Sequence, residues 1–168
     1  MLLNTNKRTY IIAEAGINHK GSLKIAKKFI SEAKKCGADA IKFQTYKADT
    51  LTTRSAERYW DPGLDTDGGG TQFDTFSRID GLPLETYEEM KRAAKTHRIE
   101  LSSTPFSPTD VAILEKLDLD IYKIASADIV DHELLERVGE VGRSVILSTG
   151  CARISEIDEA INILENHT

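Results

Sequence analysis

Five short apolar segments alternate with amphipathic segments along this 168-residue chain, and that alternation limits the possible folds more than any other feature. The apolar segments have the length of buried strands, and the amphipathic segments carry apolar residues at helical spacing. No hairpin signal separates them, so the order strand, helix, strand predicts parallel strands joined by crossover helices. The predicted strands span residues 10–13, 38–45, 99–104, 120–125 and 144–149, and the helices that follow them begin at residues 22, 84, 107, 131 and 155.

A serial α/β pattern of this kind fits either a doubly wound sheet or a (β/α)8 barrel. Neither G-x-G-x-x-G nor the P-loop motif follows the first strand, and polar residues gather at the carboxyl ends of the strands, where barrel enzymes build their sites. We therefore predict an α/β fold that is a partial (β/α)8 TIM barrel, with about five of the eight strand-helix units. Residues 1–168 would then be the N-terminal part of a longer barrel, or a fragment with exposed sheet edges.

Residues 47–81 interrupt the pattern with glycines, a proline and several aromatic residues. A segment of this length inside a domain is typical of a functional loop, and we predict an irregular lid or subunit contact. The run Gly68 to Gly70 is expected to be a flexible loop with no helix directly after it.

Composition excludes several classes of function. The chain has 22 basic and 27 acidic residues and no basic block, so it carries no electrostatic footprint for nucleic acid. No run of about 18 apolar residues occurs and the N-terminus lacks signal-peptide features, so we expect a cytoplasmic protein without a membrane partner. The two cysteines lack C-x-x-C spacing, and no histidine has a second histidine at i+4, so we expect no metal site complete within the chain.

Two lysines lie inside predicted buried strands. Lys42 and Gln44 share one face of AIKFQT because side chains alternate along a strand, and Lys123 repeats the arrangement in IYKIA. A buried lysine is costly unless its ammonium meets an anion or water, so the pair predicts a pocket for a doubly charged small molecule. The alternative is that each lysine extends to solvent along its own stem.

Hydroxyl side chains recur at the carboxyl ends of the third, fourth and fifth strands. Singly, such residues commonly cap helices or form turns. Their recurrence at one end of successive strands favours a second role, as donors to phosphate or carboxylate oxygens. The residues are Ser102, Ser103, Thr104, Ser126, Ser148 and Thr149.

The first strand runs into a carboxylate and a turn, in the sequence YIIAEAGINHKG. We expect Glu14 to lie where the strand leaves the core, Gly16 to let the backbone turn, and Asn18 and His19 to follow beside it. Glu14 is then a candidate general acid or base, or a group that orients a substrate hydroxyl. The alternative is a carboxylate paired with a neighbouring lysine.

Five motifs occur in order along the chain: AEAGINHKGS, the lysine and glutamine of IKFQT, SSTPFS, YKIASAD and LSTG. Together they resemble the N-terminal barrel portion of the sialic acid synthase (NeuB) family, from about Tyr10 to the last helix. The resemblance implies a transferase that condenses phosphoenolpyruvate with an N-acetylated amino sugar, typically N-acetylmannosamine, to give a nonulosonic acid such as sialic acid (N-acetylneuraminate) and phosphate. It also implies a divalent metal, often manganese.

The resemblance assigns a role to each candidate residue. In the family's mechanism C3 of the enol attacks the metal-polarised aldehyde, water adds to C2, and the tetrahedral intermediate expels phosphate by C–O cleavage. By resemblance, Lys42, Thr104 and Lys123 contact the carboxylate of phosphoenolpyruvate, Gln44, Ser126 and Ser148 donate to its phosphate, and Glu14 is the catalytic carboxylate near the sugar aldehyde.

The sequence also departs from the family. The metal-binding histidines of the family lie on later strands, and an antifreeze-like C-terminal domain contributes an arginine to the partner's site in a homodimer. Neither occurs in residues 1–168, so we expect this chain alone neither to hold the metal well nor to turn over. Two alternatives remain: a Schiff-base TIM-barrel aldolase using Lys42 or Lys123, and a non-catalytic assembly fragment that associates through open sheet edges.

Overall fold

A computed structural model describes residues 9–61, 69–78 and 82–166. Five strands form one sheet in the order β1-β2-β3-β4-β5, and each neighbouring pair is parallel. This sequential order is the winding of a barrel, because in a doubly wound sheet the strand order reverses at a switch point. The predicted partial barrel is therefore confirmed. The strands are β1 Ile12–Gly16, β2 Ala40–Thr45, β3 Glu100–Pro105, β4 Ile121–Ile124 and β5 Ser144–Leu147.

Seven α-helices accompany the strands in the described part of the chain. Three of the five that follow strands begin at predicted N-caps: Ser22, Ser107 and Asp131 each accept a hydrogen bond from the backbone N–H three residues further on. No described helix is both long and apolar enough to cross a membrane. The helices are α1 Leu23–Lys35, α2 Ala48–Leu51, α3 Gln72–Ser77, α4 Leu84–His97, α5 Pro108–Lys116, α6 His132–Glu140 and α7 Ile154–Asn166.

The segment predicted to be irregular contains two of these helices, α2 and α3. The expectation of no helix directly after the glycine run is wrong, because Thr71 and Asp74 form a capping box at the start of α3. The Asp74 carboxylate accepts a hydrogen bond from the Thr71 backbone N–H at 2.8 Å, and the Thr71 hydroxyl accepts one from the Asp74 N–H at 3.2 Å. Gly68 and the rest of 62–68 and 79–81 lie outside the described residues.

The predicted cap of the last helix is also wrong. Helix α7 begins at Ile154, so Ser155 lies inside its first turn. The Glu156 carboxylate instead accepts a hydrogen bond from the Arg153 backbone N–H at 2.7 Å. A carboxylate at the start of a helix stabilises its unpaired N–H groups, and the helix here begins two residues before the start that a cap at Ser155 predicts.

The two faces of the sheet differ in chemistry. Along β2, Ile41 and Phe43 belong to the apolar core that packs against the helices, whereas Lys42 and Gln44 point to the opposite face. This opposite face corresponds to the interior of a barrel. The core also includes Leu101 of β3, Tyr122 and Ile124 of β4, Ile30 of α1, Met90 of α4, Val111 of α5 and Leu134 of α6.

Candidate functional site

Glu14 lies within β1, where the sequence led us to expect the strand to have ended. Glu14 pairs with Lys42 in the β1-β2 register and Gly16 pairs with Phe43, so β1 holds one extra residue between these pairs. Such a bulge re-aims a side chain and is common beside active sites. The side chain of Glu14 is 56% exposed, so the carboxylate stays in the strand without being buried. Gly16 has a φ of +52°, which confirms the predicted turn.

The ammonium of Lys42 lies between a carboxylate and a hydroxyl. Its Nζ is 2.5 Å from Glu14 Oε2 and donates to Thr104 Oγ1 at 3.3 Å. Only 13% of the Lys42 side chain is exposed. The ammonium therefore has protein partners, and the alternative interpretation of Glu14, a carboxylate paired with a neighbouring lysine, is the arrangement observed. That pairing also places the Glu14 carboxylate beside the candidate ligand-binding ammonium of Lys42.

Lys123 brings a second positive charge to the same face. Its ammonium donates to the backbone carbonyl of Ile124. Burial lowers the pKa of Lys123, and the positive charge of Lys42 lowers it further, while Glu14 and Asp128 act in the opposite direction. Two partly desolvated ammonium groups that repel one another favour an anion as their common partner.

Thr104 and Gln44 complete this group through strand register. The two residues are paired across β2 and β3, so they share the face of Lys42. Both the Glu14 and the Gln44 side chain border Gly16: a Cβ placed on Gly16 would be 3.5 Å from Glu14 Oε1 and 4.0 Å from Gln44 Cδ. Both distances are ordinary van der Waals contacts, so glycine is favoured at position 16 by its positive φ and not by a lack of space.

Two of the candidate hydroxyls have structural roles. Ser102 donates its hydroxyl to the backbone carbonyl of Ile121 at 3.1 Å. Ser103 points to the helix side, where its hydroxyl is 2.8 Å from the Thr45 hydroxyl in a buried hydrogen bond. Both serines are buried. These two hydroxyls therefore bond to neighbouring strands, a role that is neither the helix cap nor the turn considered as the alternative.

Ser126 and Ser148 form a second group at the ends of β4 and β5. Ser126 opens a short 3-10 turn, Ser126–Asp128. The Ser148 backbone N–H donates to the Ile124 carbonyl at 3.1 Å and continues the pairing of the two strands. A Cβ on Gly150 would come within 3.3 Å of Ser126 Oγ, so Gly150 leaves room for that hydroxyl.

Asp128 is a candidate that the sequence did not single out, although it ends the motif YKIASAD. Its Oδ2 is buried without a hydrogen-bond partner. Burial, together with the negative charge of Asp131, raises the pKa of Asp128 to about 6, while Lys123 opposes the shift. A carboxyl group with this pKa can take up or release a proton near neutral pH. The only sequence signal was the spacing of Asp128 from Lys123 and Ser126.

We expect Asp128→Asn to stabilise the protein at pH 7.5 and to have little effect at pH 4. The pKa of Asp128 is higher in the folded chain than its ordinary value of 3.8, so folding favours the protonated carboxyl. The stability that the protonated carboxyl gives is fully present below pH 4 and is lost as pH rises through about 6, where the buried carboxyl ionises. Asparagine stays neutral and avoids this loss. Allowing for partial exposure, we expect a gain of about 1–2 kcal/mol in the free energy of unfolding at pH 7.5. Urea denaturation at the two pH values measures it.

The exposed residue Asp158 on α7 supplies the control for this prediction. Asp158→Asn should leave the free energy of unfolding nearly unchanged at both pH values. A destabilisation by Asp128→Asn at pH 7.5 would mean that the ionised Asp128 carboxylate has a favourable partner in the folded chain.

The described residues do not fit a metal centre. They contain no group of three or more histidine, cysteine, aspartate or glutamate side chains that could hold an ion. His19 is buried and its Nδ1 accepts a hydrogen bond from Gly21, while His97 and His132 are exposed on helices. The donor set for a divalent metal is thus missing from this part of the chain.

Comparison with known proteins gives consistent matches. A profile of the NeuB family matches residues 29–168. A Methanocaldococcus jannaschii protein of uncharacterised function is 41% identical over 95% of the chain and 43% of its own length. The N,N'-diacetyllegionaminic acid synthase of Campylobacter jejuni is 38% identical over 94% of the chain and 47% of its own length. The chain thus spans less than half the length of these relatives.

Among solved structures, the N-acetylneuraminic acid (sialic acid) synthetase of Leptospira borgpetersenii, crystallised with citrate, superposes with a TM-score of 0.80 at 31% identity. The superposition covers 96% of the present chain and 52% of that chain. Both the sequence and the fold therefore relate the described half barrel to the same group of proteins.

Proposed function

The chain belongs to the NeuB family, and we propose that it is part of a nonulosonic acid synthase that is cytoplasmic and homodimeric. In this proposal phosphoenolpyruvate binds at the edge of the sheet formed by the carboxyl ends of the strands. In this proposal the chain supplies the N-terminal five units of a (β/α)8 barrel, and three further units close it. The observation that carries the proposal is the placing of Lys42, Lys123 and Thr104 on one face of the sheet, with Glu14 paired to Lys42.

We assign the carboxylate of phosphoenolpyruvate to Lys42, Thr104 and Lys123. An anion between the two ammonium groups offsets their mutual repulsion and raises the pKa of Lys123, which burial lowers. Charge-assisted hydrogen bonds from lysine to a carboxylate are about twice as strong as neutral ones. The partly desolvated setting strengthens them further because water competes less for the ammonium groups.

We assign the phosphate to the neutral donors Gln44, Ser126 and Ser148. As the C–O bond to phosphate breaks, negative charge moves onto the departing phosphate. Hydrogen bonds aimed at its oxygens therefore become stronger in the transition state than in the bound substrate. Gly150 supports this role because it leaves space for the Ser126 hydroxyl.

The reaction then proceeds in three steps. C3 of phosphoenolpyruvate attacks the aldehyde carbon of an N-acetylated amino sugar such as N-acetylmannosamine, and the aldehyde oxygen takes up a proton. Water adds to C2, and the tetrahedral intermediate expels inorganic phosphate to leave a 2-keto acid. Glu14 orients a sugar hydroxyl or holds a proton on the side of β1. A divalent metal such as manganese would be held by residues outside the described part of the chain.

Binding of phosphoenolpyruvate to the 168-residue chain tests this proposal. Calorimetric titration should show phosphoenolpyruvate binding more tightly than either pyruvate or inorganic phosphate, because only the whole molecule reaches both groups of donors. Equal affinity for phosphoenolpyruvate and phosphate would contradict the assignment. In an assay with phosphoenolpyruvate, N-acetylmannosamine and manganese we expect no phosphate release from this chain alone.

The lowered pKa of Lys123 also favours a second candidate function, a Schiff-base aldolase. A neutral lysine amine at a barrel strand end attacks a carbonyl to form an imine. Borohydride reduction in the presence of pyruvate, followed by mass spectrometry, separates the two functions. An adduct on Lys123 or Lys42 would support the aldolase, and an unmodified chain that binds phosphoenolpyruvate would support the synthase.

A further inference from the structure

We propose that His19 is a positioning residue, which holds Glu14 against Lys42 by locking the turn between β1 and α1 onto β2. The inference rests on the proposed function only where its test measures the affinity for phosphoenolpyruvate. Its basis is a set of contacts around one buried imidazole.

His19 supplies two acceptors to the turn that leads into α1. Its ring Nδ1 accepts a hydrogen bond from the Gly21 N–H at 3.1 Å, and its carbonyl accepts one from the Ser22 N–H at 2.9 Å. Gly21 has a φ of +72° and Lys20 a φ of +50°, so the backbone here is in the left-handed region. The left-handed conformation is costly for a residue such as Lys20, and the two hydrogen bonds to His19 offset that cost and hold the turn.

The same ring ties this turn to the neighbouring strand. Only 2% of His19 is exposed, and its ring lies 5.7 Å from the Phe43 ring, centroid to centroid, at an angle of 55°. Phe43 follows Lys42 directly and pairs with Gly16 across the ladder. One side chain therefore connects the segment after Glu14 to the strand that carries Lys42.

Strand pairing alone fixes Glu14 weakly. The bulge between Glu14 and Gly16 interrupts the register, and in the described sheet β1 has a neighbour on one side only. A bulged edge strand can slip or twist more easily than a central strand. The His19 contacts on the C-terminal side of the bulge supply the constraint that the ladder lacks.

The role requires a neutral imidazole. Nδ1 accepts a hydrogen bond only when it carries no proton, so the ring proton lies on Nε2. Burial lowers the pKa of His19, which keeps the ring neutral at physiological pH. The acceptor and the ring packing can therefore be removed separately by substitution.

The test compares three variants by NMR. His19→Phe keeps a ring against Phe43 but loses the acceptor, and His19→Asn places an amide oxygen near the position of Nδ1. His97→Asn, on the exposed end of α4, is the control. The readouts are the nuclear Overhauser effect between the Glu14 γ-protons and the Lys42 ε-protons, and the amide exchange rate of Gly21. Melting curves establish that each variant is folded.

We expect His19→Phe to lose the Glu14–Lys42 Overhauser effect and to speed Gly21 amide exchange by about tenfold. His19→Asn keeps an acceptor for the Gly21 N–H but lacks the ring that packs on Phe43, so it should keep slow Gly21 exchange and still lose the Overhauser effect. His97→Asn should keep both close to the wild-type values. A retained Overhauser effect in either folded variant, His19→Phe or His19→Asn, overturns the proposal, as does its loss in His97→Asn. If His19→Phe does not fold, the comparison rests on His19→Asn.

Phosphoenolpyruvate affinity then connects the geometry to function. We expect about a tenfold weaker affinity in both His19→Phe and His19→Asn, and an affinity within about threefold of wild type in His97→Asn. A wild-type chain that does not bind phosphoenolpyruvate counts against the proposed function, and the Overhauser measurement still decides the role of His19. Unchanged affinity in His19→Phe despite a lost Overhauser effect overturns the functional part of the inference.

Discussion

Replacing Lys42 with methionine is expected to weaken phosphoenolpyruvate binding by about 100-fold or more. The substitution keeps an unbranched apolar stem but removes the ammonium that contacts Glu14 and Thr104. It leaves Glu14 without its cation, so an anionic substrate meets a net repulsion where it met an attraction. A 100-fold change corresponds to about 2.7 kcal/mol, within the range for losing a charge-assisted partner. Calorimetric titration measures it.

Lys35 on α1 offers a matched control, because it is exposed and pairs with Glu32 in a surface ion pair at 2.8 Å. Lys35→Met should leave the affinity for phosphoenolpyruvate unchanged, since an exposed ion pair on α1 contributes little to the stability of the fold and Lys35 lies outside the proposed site. The double variant Lys42→Met/Glu14→Gln separates the two causes: it should recover the part of the loss that comes from the unpaired Glu14 carboxylate. An affinity within about threefold of wild type in Lys42→Met would remove Lys42 from the proposed site.

Replacing Phe43 with alanine is expected to lower the free energy of unfolding by about 3–5 kcal/mol. Phe43 is 1% exposed and belongs to the core between the sheet and the helices, and its ring also contacts His19. Its loss leaves a cavity behind the strand that carries Lys42 and Gln44. Urea denaturation measures the stability change, and phosphoenolpyruvate affinity should fall with it because the facing side chains lose their rigid support.

Phe43→Leu is the control for the core prediction. Leucine retains most of the buried apolar volume, so the loss should be clearly smaller than for alanine. A cost below about 1 kcal/mol for Phe43→Ala would mean that neighbouring side chains collapse into the space and that β2 is held by other contacts.

The residues that the structure brings together agree only in part with those that sequence reasoning selected. Alternation along β2 correctly placed Lys42 and Gln44 on one face, because the two-residue period of a strand is a local property. The same reasoning did not separate Thr104, which faces Lys42, from Ser103, which bonds Thr45 on the helix side. Their hydroxyls are chemically alike, and the register of neighbouring strands decides which of them can reach a ligand.

Asp128 and His19 show that the burial of a side chain is equally hard to predict from the sequence alone. In the sequence, Asp128 is one acidic residue after a strand, and nothing local indicates that its Oδ2 is buried without a partner. His19 was noticed beside Glu14, but its contact with Phe43 joins residues 24 positions apart and depends on the β1-β2 pairing. Desolvation and ring packing are properties of the assembled layers, so neither could be read from spacing.

The sequence by itself determined the serial α/β architecture, the partial barrel, three helix caps and the face on which Lys42 lies, because periodicity and capping act over a few residues. Only the tertiary structure decided that Glu14 stays inside β1, that its carboxylate pairs with Lys42, and that Lys123 shares their electrostatic field. These outcomes depend on the bulge, the strand register and the loss of water around charged groups, which arise only when distant strands pack side by side.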